Sequence, residues 1–174
     1  MTPVADGQHL VLVGMMGAGK SSVGRVLAER LGRELFDSDA MIEARTGQTV
    51  RQIWQEVGEA AYRRIETEVL GDALDHATPS IIAAAGGVVL SPTNRARLMA
   101  DDAYVVWLAA DVDVLLDRVL NGAHRPLLDD DPEAVLRKMM VDREALYREV
   151  ADAIVSVDLR SVNEVAQAVI RCAR

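Results

Sequence analysis

Short, mostly apolar runs alternate along this chain with longer stretches whose apolar positions recur every three or four residues. The short runs are Leu10–Val13, Glu34–Phe36, Ile81–Ala84, Tyr104–Leu108 and Ala153–Val157. A strand covered by helices on both faces meets apolar surroundings on each side, so it reads as a continuous apolar run. The longer stretches predict helices over Lys20–Leu31, Glu59–Leu74, Pro92–Met99, Val112–Val119, Pro132–Val150 and Val162–Arg171. Pro92 and Pro132 suit the first turn, where a missing N–H costs no intrahelical bond. Alternation of strand and helix predicts βαβ units and an α/β fold around a parallel sheet.

Two segments depart from the alternation. Ala40–Val57 is a polar helical stretch that contains Thr46-Gly47. Asn121–Asp131 carries Gly122, Pro126 and three consecutive aspartates, and reads as a lid loop between two helices. No linker divides the chain. The expectation is a single domain over 1–174, with its core at about 8–172, a substrate-binding region at about 38–65 and a lid at about 120–132.

Composition narrows the class. Half of the 174 residues are hydrophobic and 26% are charged, which is globular rather than disordered. Aromatics are only 3%, so Val, Leu, Ile, Ala and Met must fill the core. The net charge of −8 argues against a nucleic-acid binder, although a local basic pocket remains compatible with it. Cys172 is the one cysteine, which rules out an internal disulfide and suits a reducing compartment. No apolar run is long enough to span a membrane, and Met1 to Gln8 does not resemble a signal peptide. A cytoplasmic monomer with small-molecule partners is therefore expected.

Residues 14–21 read Gly14-Met15-Met16-Gly17-Ala18-Gly19-Lys20-Ser21, the spacing G-x-x-x-x-G-K-[ST] between a predicted strand and a predicted helix. Glycines let successive backbone N–H groups turn inward onto phosphate oxygens, and the following helix adds its positive end. Lys20 is the candidate for the β/γ-phosphates and Ser21 for Mg²⁺. At the end of the second strand, Asp37-Ser38-Asp39 places two carboxylates beside this loop. If strand geometry persists they project to one side. One suits the hydration shell of a metal ion, and the other suits an attacking hydroxyl. Asp39 could alternatively cap a helix from Ala40.

Phosphoryl transfer spreads negative charge, so arginines are expected nearby. The candidates are Arg63, Arg64, Arg118, Arg125 and Arg143, with Arg125 directly before Pro126 in the lid. Composition does not choose among them, because an arginine on a helix is ordinarily solvated. Ala85-Gly86-Gly87 closes the third strand with two glycines that permit close approach of backbone to ligand.

Taken together, these residues resemble the shikimate kinase family from Leu10 to about Ile170. Gly14–Ser21 resembles its P-loop and Asp37-Ser38-Asp39 its D-[ST]-D motif. Gly58-Glu59 with Tyr62-Arg63-Arg64-Ile65-Glu66 resembles G-E-x-x-[FY]-R-x-x-E. Arg125-Pro126-Leu127-Leu128 resembles R-P-L-L, and Arg143-Glu144-Ala145-Leu146-Tyr147 resembles R-x-x-x-Y. The resemblance implies a nucleoside-monophosphate-kinase-like P-loop fold, a three-layer α/β/α sandwich with five parallel strands. It implies an ATP-dependent, Mg²⁺-requiring kinase acting on the 3-hydroxyl of shikimate, a step towards aromatic amino acids.

The resemblance also implies roles. Lys20, Asp39 and Arg125 would be catalytic. Gly17, Ala18, Gly19, Lys20, Ser21 and Ser22 would bind ATP, with Arg118 and Arg160 at the adenine and Arg125 on the transferring phosphoryl group. Asp39, Arg63, Gly86, Gly87 and Arg143 would bind the acceptor, the two arginines taking its carboxylate. Ser21 and Asp37 would serve Mg²⁺. One departure is Ala85, where the family usually has a first glycine, and its methyl opens the question of acceptor preference. The alternatives are a gluconate-kinase-like or nucleoside-monophosphate kinase, or a nucleotide-binding relative without turnover.

Overall fold

The computed structural model describes residues 7–121 and 131–173. Its strands are β1 His9–Val13, β2 Leu35–Asp37, β3 Ile81–Ala83, β4 Ala103–Ala109 and β5 Ala153–Ser156. They pair in parallel in the order β2-β3-β1-β4-β5. Leu10 stands in register with Ile81 on one side and Tyr104 on the other, and every residue of β1 is buried. That is why the sequence shows apolar runs there rather than alternation. Burying each such leucine or isoleucine contributes about 1.5–3 kcal/mol.

Seven α-helices accompany the sheet among the described residues: α1 Lys20–Leu31, α2 Ser38–Thr46, α3 Val50–Leu74, α4 Pro92–Leu98, α5 Val112–Leu120, α6 Pro132–Val150 and α7 Val162–Cys172. Helix α1 packs with α7 over one face, while α3, α4 and α6 succeed one another across the other. This is the expected three-layer α/β/α arrangement with five parallel strands. A single large core runs through the sheet, and a small satellite of Ile42, Ile53, Tyr62 and Val69 lies between α2 and α3. No helix among the described residues is long and apolar enough to cross a membrane.

Three local readings need correction. The stretch Ala40–Val57 is two helices, because α2 ends at Thr46 and Thr49 opens α3 with a reciprocal capping box to Gln52. Helix α3 then continues into the predicted Glu59–Leu74 helix across a kink at Gly58, whose φ of 77° and ψ of 175° are not helical. The residue that caps α2 is Asp37, not Asp39, with its side chain accepting from the Asp39 and Ala40 N–H groups. A short 3₁₀ turn at Val88–Leu90 follows β3 and was not anticipated. The predicted lid, with Arg125 and Pro126, lies outside the described residues apart from its margins.

At the amino edge of the sheet His9 is buried, and its Nδ1 lies 2.8 Å from the Ser80 hydroxyl. The Ser80 N–H donates to the same nitrogen at 3.2 Å, so Nδ1 is the unprotonated one. Burial lowers the His9 pKa below its ordinary 6.5, against the opposing pull of Asp102. The unfolded chain therefore takes up a proton near 6.5 that the folded chain refuses. Stability is fully present above that pH and is lost as pH falls through it. In His9→Asn the amide oxygen can replace Nδ1 as acceptor without titrating. The melting temperature of the wild type is expected to fall between about pH 7.5 and about pH 5.5, and that of H9N to fall less, as read by thermal denaturation. Parallel curves would disprove the assignment.

Candidate active site

All five strands run the same way, so their carboxyl ends share one edge, where open α/β sheets bind ligands. Between β1 and α1 the chain makes the glycine-rich loop 14–19. Its first residue is pressed onto the sheet, and a Cβ on Gly14 would come within 2.6 Å of the Leu108 carbonyl oxygen. The loop delivers the chain to Gly19, from which α1 starts at Lys20. The first-turn N–H groups and the positive end of that helix face the same opening. Lys20 Nζ donates to the Gly14 carbonyl at 2.7 Å and to Met15 at 3.0 Å, arching over the loop.

A cleft of about 290 Å³ opens here. On one side it is lined by the loop and the start of α1, including Gly17, Gly19, Lys20, Ser21 and Ser22. Asp37 and Asp39 line it next to them. The two carboxylates share the cleft as expected but not through strand geometry. Asp37 ends β2, and Asp39 stands in the first turn of α2. Because Asp37 Oδ1 caps that helix, Asp39 is not needed as a cap.

The far side is basic. Arg63 on α3 and Arg143 on α6 both line the cleft, together with Gly86 and Gly87. Arg63 Nη1 donates to Glu66 at 2.6 Å, and its guanidinium stands 5.4 Å from the Trp54 ring. Its Nε is buried without a hydrogen-bond partner among the described residues. The guanidinium also lies against Gly87, where a Cβ would meet Nη1 at 1.8 Å. Only glycine leaves room for this contact. Arg143 is buried, one turn before Tyr147 on α6.

Burial pushes the Glu66 carboxyl above its ordinary range, with Arg63 pulling the other way. Burial also works against the charge on Arg63, and Glu66 and Glu59 more than offset it. Ala85 is buried in the cleft wall and its φ is not positive, so its methyl is accommodated without backbone strain. The tolerance explains how this chain can depart from glycine at that place.

Not every predicted site residue meets here. Ala18 is buried beneath the loop and does not line the cleft. Arg118 lies behind the loop, donating to the carbonyls of Gly17 at 3.2 Å and Val157 at 3.4 Å. Arg160 is exposed and donates to the Ser156 carbonyl at 3.3 Å. Arg118 stands against the loop, and neither arginine is in the cleft lining. Arg64 is exposed and also outside it. The sequence reading assigned no role to Trp54, Tyr62 or Glu66, which do line the cleft. A signal was present for Glu66, because the i,i+3 spacing from Arg63 puts both on one helix face.

Among the described residues no three carboxylate, histidine or cysteine side chains cluster to hold a metal. An ion here would be a hard one that takes few protein ligands and keeps water and phosphate oxygens. Ser21 and Asp37 fit that donor set, since both line the cleft beside the phosphate loop.

Comparison with known proteins gives one family. The family model described as shikimate kinase matches residues 16–174. A shikimate kinase from Halorhodospira halophila is 44% identical over 93% of this chain and 91% of its own length. A solved shikimate kinase from Acinetobacter baumannii in complex with shikimate superposes with a TM-score of 0.90 at 38% identity, covering 94% of this chain and 91% of that one. A gluconokinase from Sinorhizobium meliloti matches with a TM-score of 0.61 at 17% identity, covering 97% and 92%, and shares the fold alone. With its P-loop, its paired aspartates and its two cleft arginines in the order and spacing that the sequence showed, the chain belongs to the shikimate kinase family.

Proposed function

We propose that this chain transfers the γ-phosphoryl group of ATP to the 3-hydroxyl of shikimate, with Mg²⁺ as the metal. One observation carries the reading. A single cleft joins the phosphate loop with Lys20 to Asp39 and to two arginines, Arg63 and Arg143. An acceptor that is anionic and hydroxylated suits that lining. Its carboxylate meets two guanidinium groups by charge-assisted bonds, and its hydroxyl meets a carboxylate within reach of the γ-phosphate.

The residues then take these roles. The N–H groups of Gly17, Ala18 and Gly19 and the start of α1 hold the phosphates, together with Ser22. Lys20 leaves the carbonyls of Gly14 and Met15 for the phosphate oxygens. Ser21 would ligate Mg²⁺, and Asp37 would hold its water. The ion supplies neutralisation of charge on the phosphates. Asp39 aligns the 3-hydroxyl and accepts its proton. Arg63, Arg143, Gly86 and Gly87 orient the acceptor. Arg125 completes the site from the lid, and Arg118 and Arg160 flank the adenine. Little covalent work is left to the protein, so catalysis is chiefly positioning and electrostatics.

Purified chain with Mg-ATP should release ADP on addition of shikimate, and far less with gluconate or AMP, in a coupled assay. Preference for either of the latter would overturn the acceptor assignment. Asp39→Asn should reduce kcat by roughly two to four orders of magnitude, the range of general-base catalysis, with ATP affinity nearly unchanged. Normal turnover in D39N would remove Asp39 from the chemistry. Arg63→Ala should raise the acceptor KM by roughly tenfold to a hundredfold, the size of a lost charge-assisted bond. Gly87→Ala should do the same without touching Arg63 itself, because the new methyl occupies the space of Nη1. Steady-state kinetics in which G87A keeps the wild-type acceptor KM would show that the guanidinium is free to bind elsewhere.

A further inference from the structure

The geometry points to Tyr147 as a positioning residue for the acceptor. Its hydroxyl fixes the Gly86–Gly87 peptide in the orientation that receives the acceptor's carboxylate. The inference rests on the acceptor site proposed above and assigns a role to a residue outside the cleft lining.

Tyr147 is wholly buried on α6, one turn after Arg143. Its hydroxyl donates to the Gly86 carbonyl at 2.7 Å. That bond ties α6, the helix that carries Arg143, to the turn after β3, so it connects two parts of the cleft wall that come from different elements. The peptide between Gly86 and Gly87 is planar and trans, so its carbonyl and its N–H point in opposite directions. Holding the Gly86 carbonyl on Tyr147 turns the Gly87 N–H the other way. Among the described residues that N–H donates to no backbone carbonyl. It sits beside the Arg63 guanidinium, which lies against the α-carbon of Gly87.

Glycine makes such an anchor necessary. Two successive glycines leave the 86–87 segment with the widest choice of backbone angles, and an unanchored donor there would lose its direction. The anchor is itself rigid. The Tyr147 ring stacks on Trp107, with centroids 5.8 Å apart and planes at 22°. A Cβ on Gly86 would stand 3.6 Å from the Tyr147 hydroxyl and 3.3 Å from the Gly14 carbonyl, so the segment is wedged between α6 and the phosphate loop. The ring alone would satisfy the packing, and phenylalanine would fill the same space. The hydroxyl is the part that packing does not require.

Tyr147→Phe separates the two contributions. The acceptor KM should rise on the order of tenfold, the size expected when a buried carbonyl loses its donor, while the KM for ATP stays within about twofold. A variant that is merely less stable would lower the active fraction and leave both KM values in place. An unchanged acceptor KM, or equal rises in both KM values, would overturn the role. A second variant covers the case in which Y147F does not fold. A ring-fluorinated tyrosine at 147 keeps the shape and the donor but has a more acidic phenol, whereas burial raises the native Tyr147 to about 12. In the fluorinated protein the acceptor KM should climb at alkaline pH where that of the wild type does not. Identical pH profiles would also overturn the role. Wild-type protein that turns over gluconate and not shikimate would instead sink the acceptor reading itself, whatever Tyr147 does.

Discussion

The phosphate loop of this protein has no space of its own. The ideal Cβ of Gly14 lies 2.6 Å from the carbonyl oxygen of Leu108, and that of Gly86 lies 3.3 Å from the Gly14 carbonyl and 3.6 Å from the Met16 nitrogen. Strand β1 lies between β3 and β4, so the loop that leaves it is flanked by the ends of both neighbours. The cradle for the nucleotide and the wall for the acceptor are thus one packed unit. Phosphoryl transfer asks for in-line placement of two bound molecules and little else, and a shared rigid wall supplies it.

The acceptor side is built differently. Helices α2 and α3 rest on their own small core of Ile42, Ile53, Tyr62 and Val69. Tyr62 belongs to that core and lines the cleft beside Glu66. Glu66 in turn holds Arg63 at 2.6 Å. A buried carboxylate is an odd neighbour for an anion site, since it opposes the ligand's charge. Its effect is on geometry. It binds the guanidinium at Nη1, and Gly87 leaves room for it there, which directs the remaining donors. Arg143 stands buried on α6 at the same cleft. A protein of net charge −8 thereby carries a local positive pocket.

The sheet could be read from sequence because its strands are buried on both faces, and burial on both faces leaves an unbroken apolar signature, as in Leu10–Val13. The phosphate loop was equally legible, since its spacing is set by backbone geometry within eight residues. The break in Ala40–Val57 was written in Thr49 and Gln52, but a capping box is a short polar signal inside a polar stretch and is easily absorbed into the helix around it. The cap at Asp37 is hard to read because the last residue of a strand and the first turn of a helix share one short segment, in which Asp37 and Asp39 are both candidates. Tertiary placement was the least legible. Nothing local distinguishes Arg143, buried in the cleft, from Arg160, exposed after β5. Only the family's motifs separated the arginines, and Tyr147 stood in one of those motifs without a role.

The two edges of the sheet divide the work. At the carboxyl edge the charged groups face a cleft and are arranged around ligands. At the amino edge His9, Ser80 and Asp102 close the sheet, with the Asp102 carbonyl accepting from the His9 N–H at 2.8 Å and the Ser80 carbonyl from Leu10 at 2.9 Å. The full length of β1 separates His9 from the loop that starts at Gly14. Acid therefore acts on stability through a buried imidazole at the edge away from the cleft. A parallel sheet permits this because it sorts strand starts from strand ends. Residues that hold the sheet closed need not be those that hold the substrates, and a change at either edge can be tolerated without disturbing the other.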